Sequence, residues 1–250
     1  MDRNAKGKII YIIVGVAALL LVSGVVAYRS GYRFQSNFLI GKVGTLEVTL
    51  PFSQTSIFID DDQKITTTKD NEPVSVTLSP ADHRIIISHE SYFPWTKNIS
   101  VPSGGKVSIS PIFVPQNTSG QIITNKDPEY AKLRRMIVLN PLPTENSPIT
   151  SADNSVKIWL DDNAIVAQTG SSTPTVVIQP DTVIRGVHFY KDRNDAVIFS
   201  TLNTIYVIEI DTENTQNFIP VYRGQSPSFI KLDADSIYVL DGNILMQVVI

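Results

Sequence analysis

His83, His89 and His188 are the side chains best suited to metal binding or proton transfer near neutral pH. Their spacing serves neither. No His-Glu-x-x-His pair sets two imidazoles on one helix face, and His83 and His89 stand six residues apart along an extended stretch. Asp60-Asp61-Asp62 gathers three carboxylates but lacks the glycine and distal glutamate of a calcium loop. It reads as a polar hairpin tip, and Asp161-Asp162 as another. No Gly-x-Ser-x-Gly elbow and no phosphate-cradling glycine-rich loop is present. The chain has no Cys, which removes disulfides, thiolate nucleophiles and thiolate metal sites. An active site needs several converging titratable groups. The expectation is therefore a protein that is not an enzyme, without catalytic, cofactor-binding or metal-ligating residues. Binding is the remaining chemistry. Tyr92, Phe93 and Trp95 are the aromatic group that would stack on sugar rings or a protein partner, while Trp95 could instead close a hydrophobic core.

The element that places everything else is residues 9–28, IIYIIVGVAALLLVSGVVAY, which carry no charge. As a helix this stretch spans roughly 30 Å, the thickness of a bilayer's hydrocarbon core. About a dozen of its residues are Ile, Val or Leu, each favouring the membrane centre by about 0.3–0.6 kcal/mol. A single transmembrane helix is expected. The competing assignment is a cleaved signal peptide ending near Val25-Val26-Ala27, whose apolar region usually runs about 7–15 residues, shorter than this one. Arg3, Lys6 and Lys8 before the span, against Arg29 and Arg33 after it, favour residues 1–8 as a cytoplasmic tail and the rest as extracytoplasmic. Residues 29–43 read as a juxtamembrane stalk. Tyr28 at the end of the span, with Tyr32 and Phe34 in the stalk, suits the lipid headgroup layer, while Phe34 and Phe38 equally suit the start of the next core.

After the span the pattern is all-β, short Val/Ile/Thr/Tyr runs punctuated by Gly, Pro, Asn and Asp. Across residues 44–115 the alternation has period two. Leu46, Val48 and Leu50 share a face, as do Val74, Val76 and Leu78, then Ile85 and Ile87, then Val107 and Ile109. Six or seven short strands of this kind make a small β-sandwich. The run Leu46-Glu47-Val48, Pro51, Ile57-Phe58-Ile59-Asp60, Pro73, Leu78, His83, Ile85, Ile87, Tyr92 and Pro94-Trp95 resembles a PEGA domain. So does its closing Val101, Gly104-Gly105, Val107. The Pro-Glu-Gly-Ala itself is replaced by Pro51-Phe52-Ser53-Gln54, and Asp61 and Asp82 stand where that family tends to have glycine. The resemblance implies a surface-exposed binding or spacer module of the cell envelope, and no chemistry.

Residues 116–135 read as a linker, with Asp127-Pro128-Glu129 as a helix start and Lys132, Arg134 and Arg135 on a solvated face. From 136 to 250 the chain aligns with itself at an offset of about forty residues. Ile149, Phe189 and Phe229 fall in register, as do Ile158-Trp159, Ile198-Phe199 and Tyr238-Val239. Asn163, Asn203 and Asn243 recur, each followed by an aliphatic residue at Ile165, Ile205 or Leu245. The second copy spells four strands, VHFY, AVIFS, TIYVIEI and QNFIPVY. Asn suits each hairpin turn because it accepts positive φ. Such units resemble WD-repeat-like propeller blades, although no Trp-Asp pair marks them.

The last copy reaches Ile250 without an outer strand, which residues 136–140 are expected to supply. Three blades are fewer than the usual four to eight. Self-association, a partner strand or collapse into a compact sandwich all answer the open edges. A net charge of −3 argues against nucleic acid. The expected function is a single-pass, membrane-anchored envelope protein. Its lipid contact is residues 9–28, and its β modules are displayed to polysaccharide, peptidoglycan or protein. The alternative is a scaffold that oligomerises through open blades without a small ligand.

Overall fold

Apolar residues without a break between Tyr11 and Val22 leave nothing to stop a helix, and α1 (Arg3–Arg29) is continuous. Its segment Tyr11–Arg29 has a mean hydropathy of 2.4 and is 0 % buried, long and apolar enough to cross a membrane. The helix ends where Ser30 N–H bonds back to Val26 and Gly31 turns left-handed at φ 85°. The computed structural model describes residues 3–34, 40–61, 63–71 and 73–250. Phe38 and Asp62 lie outside the described residues. At the helix exit, Arg33 folds back over the Tyr28 ring at 3.6 Å and donates to the Tyr28 carbonyl at 2.7 Å.

The remainder is mostly β, 45 % strand against 12 % helix over the chain, in several small sheets. Strands β1 (Tyr32–Phe34) and β2 (Ile40–Lys42) pair antiparallel. Seven more follow: β3 (Gly44–Thr49), β4 (Ser56–Ile59), β5 (Gln63–Thr66), β6 (Pro73–Leu78), β7 (Asp82–Ser88), β8 (Trp95–Ser100) and β9 (Lys106–Ile109). Contacts divide the chain into two compact units. One is Met1–Ser53, Thr67–His83 and Ile99–Pro111; the other is Gln54–Thr66, Arg84–Asn98 and Ile112–Ile250. The 44–115 segment thus gives strands to both.

In the first unit β3 is the centre of a three-stranded sheet, antiparallel to β6 and parallel to β9. Leu46 opposes Val76 and Val107, and Val48 opposes Val74 and Ile109, so the predicted apolar face forms as read. Gly44 has no room for a side chain, because a Cβ there would overlap Val101 and the Pro102 carbonyl.

The second unit contains the sheet β5-β4-β7-β8, in which Ile57 and Ile59 oppose Ile87 and Ile85. Its turn at Asp60 and Asp61 is left-handed at both residues (φ 52° and 64°), and the Asp60 carboxylate accepts the Arg84 N–H. The short polar side chain of Asp tolerates this conformation. Asp82, by contrast, is simply the first residue of β7.

The same unit continues with β10 (Gly120–Ile123) and α2 (Tyr130–Val138). Three groups follow: β11 (Ile149–Thr150) to β14 (Thr175–Ile178), β15 (Gly186–Phe189) to β18 (Phe218–Arg223), and β19 (Pro227–Ile230) to β21 (Ile244–Val249). Between them lie β12 (Val156–Asp161), β13 (Ala164–Thr169), β16 (Ala196–Ser200), β17 (Thr204–Glu209) and β20 (Ser236–Asp241). Strands β12, β16 and β20 start at Val156, Ala196 and Ser236, and β13, β17 and β21 at Ala164, Thr204 and Ile244, each forty residues apart. The repeat in the sequence is a repeat of antiparallel hairpins.

Two expectations are corrected. The outer strand of the last sheet is β10, in the order β10-β21-β20-β19, whereas residues 136–140 end a helix and start a loop. Leu133 and Ile137, four apart and so on one helical face, are both 5 % exposed and pack with Ile230, Leu240 and Leu245 of the third sheet. The recurring Asn does not hold positive φ either. That conformation falls one residue earlier, on Asp162 (φ 52°) and Gly242 (φ 59°). Asn163 instead donates to the Pro180 and Thr182 carbonyls and accepts the Ile184 N–H, tying the first sheet's last loop to its hairpin.

Candidate functional site

Of the three expected contact residues, Trp95 opens β8 and is 3 % exposed. Its indole N–H donates to Glu209 Oε1 at 2.7 Å, at the end of β17. The other carboxylate oxygen accepts from Asn217 N–H (3.1 Å), Asn217 Nδ2 (3.0 Å) and Lys97 Nζ (3.4 Å). Lys97 also meets Asp211 at 2.8 Å. Burial works to lower the Lys97 pKa, but the Asp211 hydrogen bond and the two carboxylate charges outweigh it and hold it raised. Asn217 further exchanges hydrogen bonds with both the N–H and the carbonyl of Thr96. This is a satisfied polar clasp between β8 and the β17–β18 connection. The indole face is not open to stacking.

Tyr92 and Phe93 are half-buried. Tyr92 sits edge-on to His89 and Phe113, with ring centres 5.4 and 5.6 Å away, and Phe93 N–H bonds the Val114 carbonyl. The imidazoles lie apart: His83 Nε2 meets the Ser79 carbonyl and His89 Nδ1 the Glu90 carbonyl. Among the described residues no three His, Asp or Glu side chains converge as metal ligands.

A concave site of the second unit lies elsewhere. A cavity of about 820 Å³ is walled by the first strand of each repeat group, through Ile149, Val187 with His188, and Ile230. The C-terminal end of α2 and the loop after it close the remaining side, with Leu139, Pro141, Leu142 and Pro143 supplying apolar surface. Its charged lining is cationic, Arg135 and Lys231, with no acidic residue.

Strand geometry explains the polar groups. On β15, Val187 and Phe189 point into the core shared by the first two repeat groups, so His188 between them faces the other way. Its Nδ1 is buried without a hydrogen-bond partner. Burial first, and then the Lys231 charge, hold the imidazole below its usual pKa, with the Phe189 backbone acting in the opposite sense. Lys231 follows β19 with its side chain 7 % exposed, and its ion-pair partner is Asp192, 3.6 Å away and 69 % exposed.

Sequence reasoning placed Arg135 on a solvated helix face, gave His188 no role and passed over Lys231. The one signal was the repeat register, which puts Lys231 immediately after the apolar first strand of its copy. No protein-family model matches the chain, and no curated protein matches it.

Proposed function

We propose that this is a single-pass membrane protein that displays non-catalytic β modules to an envelope ligand, whether polysaccharide, peptidoglycan or protein. In this reading residues 44–115 form a PEGA-like sandwich and 136–250 a partial propeller, with residues 1–8 cytoplasmic and the modules outside. The observation that carries it is α1: its segment Tyr11–Arg29, of mean hydropathy 2.4 and 0 % buried, is long and apolar enough to cross a hydrocarbon layer. The Arg33–Tyr28 pair at its end supports an interfacial anchor. For the propeller, support comes from three four-stranded antiparallel sheets at constant spacing whose first strands share one cavity.

A binding role fits better than a scaffold. The outer edge of the third sheet, which assembly through an open blade would use, is already paired by β10. With Trp95 committed to Glu209, the ligand-facing candidates are Tyr92, Phe93 and the cavity. The anchor is tested by washing membranes that contain the full chain with alkaline carbonate. Retention in the pellet is expected, and release of full-length protein into the wash would overturn the reading.

A further inference from the structure

We propose that the cavity bounded by β11, β15, β19 and α2 binds a small molecule carrying one anionic group on an apolar body. The inference rests on the reading of this chain as a binding module and adds to it a small-molecule site. The volume, about 820 Å³, lies within the roughly 300–1,000 Å³ of small-molecule sites, and the walls are mainly Leu, Pro and Ile. An ammonium group has three donors and is costly to bury without acceptors. Yet Lys231, 7 % exposed along its side chain, meets only Asp192 beyond hydrogen-bond reach, and no hydrogen bond reaches its Nζ among the described residues. Beside it, His188 Nδ1 is buried without a partner. Arg135 stands at the rim with a second fixed positive charge, and Asp192, the carboxylate 3.6 Å from Lys231, is exposed and outside the lining.

Two cations and an unpaired imidazole nitrogen around an apolar hollow are complementary to a carboxylate or phosphate whose remainder is hydrocarbon or aromatic. The anion would make charge-assisted hydrogen bonds to Lys231 and Arg135 while its body covers Leu139 and Leu142. A sugar fits less well, since its hydroxyls would face those leucines and prolines unpaired.

The test uses the full chain in nanodiscs, titrated calorimetrically with naphthalene-2-carboxylate, 2-naphthyl phosphate and the neutral 2-naphthalenemethanol, against empty nanodiscs. At least one anion should bind about ten-fold more tightly than the alcohol. The tighter of the two names the headgroup. Lys231→Met should abolish that preference, and Arg135→Gln, on an exposed position, should reduce it without touching the core. Tryptophan fluorescence checks that Lys231→Met is folded, and if it is not, Arg135→Gln alone decides. Equal binding of acid and alcohol, neither anion binding above the nanodisc blank, or a preference that survives the informative substitution would overturn the proposal. Membrane retention under carbonate is independent of all these outcomes, so loss of this site and loss of the anchored-module reading are separable.

Discussion

Trp95 gives its indole N–H to a nearly buried carboxylate in the second unit. Trp95→Phe keeps most of the apolar bulk and removes the donor. Hydrogen bonds to charged groups contribute about 1.5–3 kcal/mol, so a loss of that size is expected. Trp159, the other of the chain's two tryptophans and in the same unit, reports the unfolding by fluorescence. A change below about 0.5 kcal/mol, the range of unremarkable surface substitutions, would show that Glu209 does not depend on this donor. Asp153 makes a pH prediction. Hydrogen bonds from the Ser151 hydroxyl, then from Ser155, and one from Asn194 hold its carboxyl well below the usual range. A depressed folded pKa stabilises above the unfolded value, about 3.9, and that contribution disappears as pH falls through the folded pKa. Thermal unfolding of wild type and Asp153→Asn should therefore differ most at pH 5 and above, and converge as the pH is lowered from about 4 toward 2. A constant gap across that range would contradict the assignment. Neither role was visible in the sequence. Trp95 read either as a contact residue or as one closing a hydrophobic core, and its polar partner, Glu209, lies more than a hundred positions away.

At the level of elements, period-two alternation marked β3, β6 and β7 correctly, and the forty-residue offset located the hairpins of all three repeat groups. The errors fell on two short pieces. Met136-Ile137-Val138-Leu139 looks like a strand by residue type, yet Leu133 and Ile137 already define a helical face, and tertiary packing on the third sheet decided the outcome. Gly120-Gln121-Ile122-Ile123 is too short and too polar at its start to announce a strand. It becomes one because β21 offers it an open edge. Gly120 is required there, since a Cβ would strike the Gln247 carbonyl. Gly120→Ala should thus cost about 1–3 kcal/mol by overpacking, with hydrogen exchange accelerating first in β10 and β21. Unchanged protection in those strands would show that β10 docks elsewhere. The cavity was illegible for a related reason. Its walls come from three strands, a helix end and a loop, and no stretch of sequence contains it.

For the whole molecule, an apolar span followed by β structure, as read from the residues, agrees with a segment Tyr11–Arg29 that is 0 % buried and a chain that is otherwise mostly β. Orientation is the open variable that the basic residues address. Three cations precede the span and two follow it closely, a small bias toward a cytoplasmic N-terminus. Protease added outside intact cells should degrade everything beyond Arg29 and leave the membrane helix. Full protection of the β units, with digestion only after lysis, would mean the reverse topology.

The latch formed by β10 has a consequence for biogenesis. Gly120 and Val248 are cross-strand neighbours across more than 120 residues of intervening polypeptide, so that pairing is impossible until β21 has left the ribosome. Until then β10 waits without its mate. Such long-range closure is slow, and waiting edges invite wrong pairings. Synthesis halted before β21 should therefore yield a sticky intermediate, whereas arrival of β21 snaps that sheet shut at a single late step.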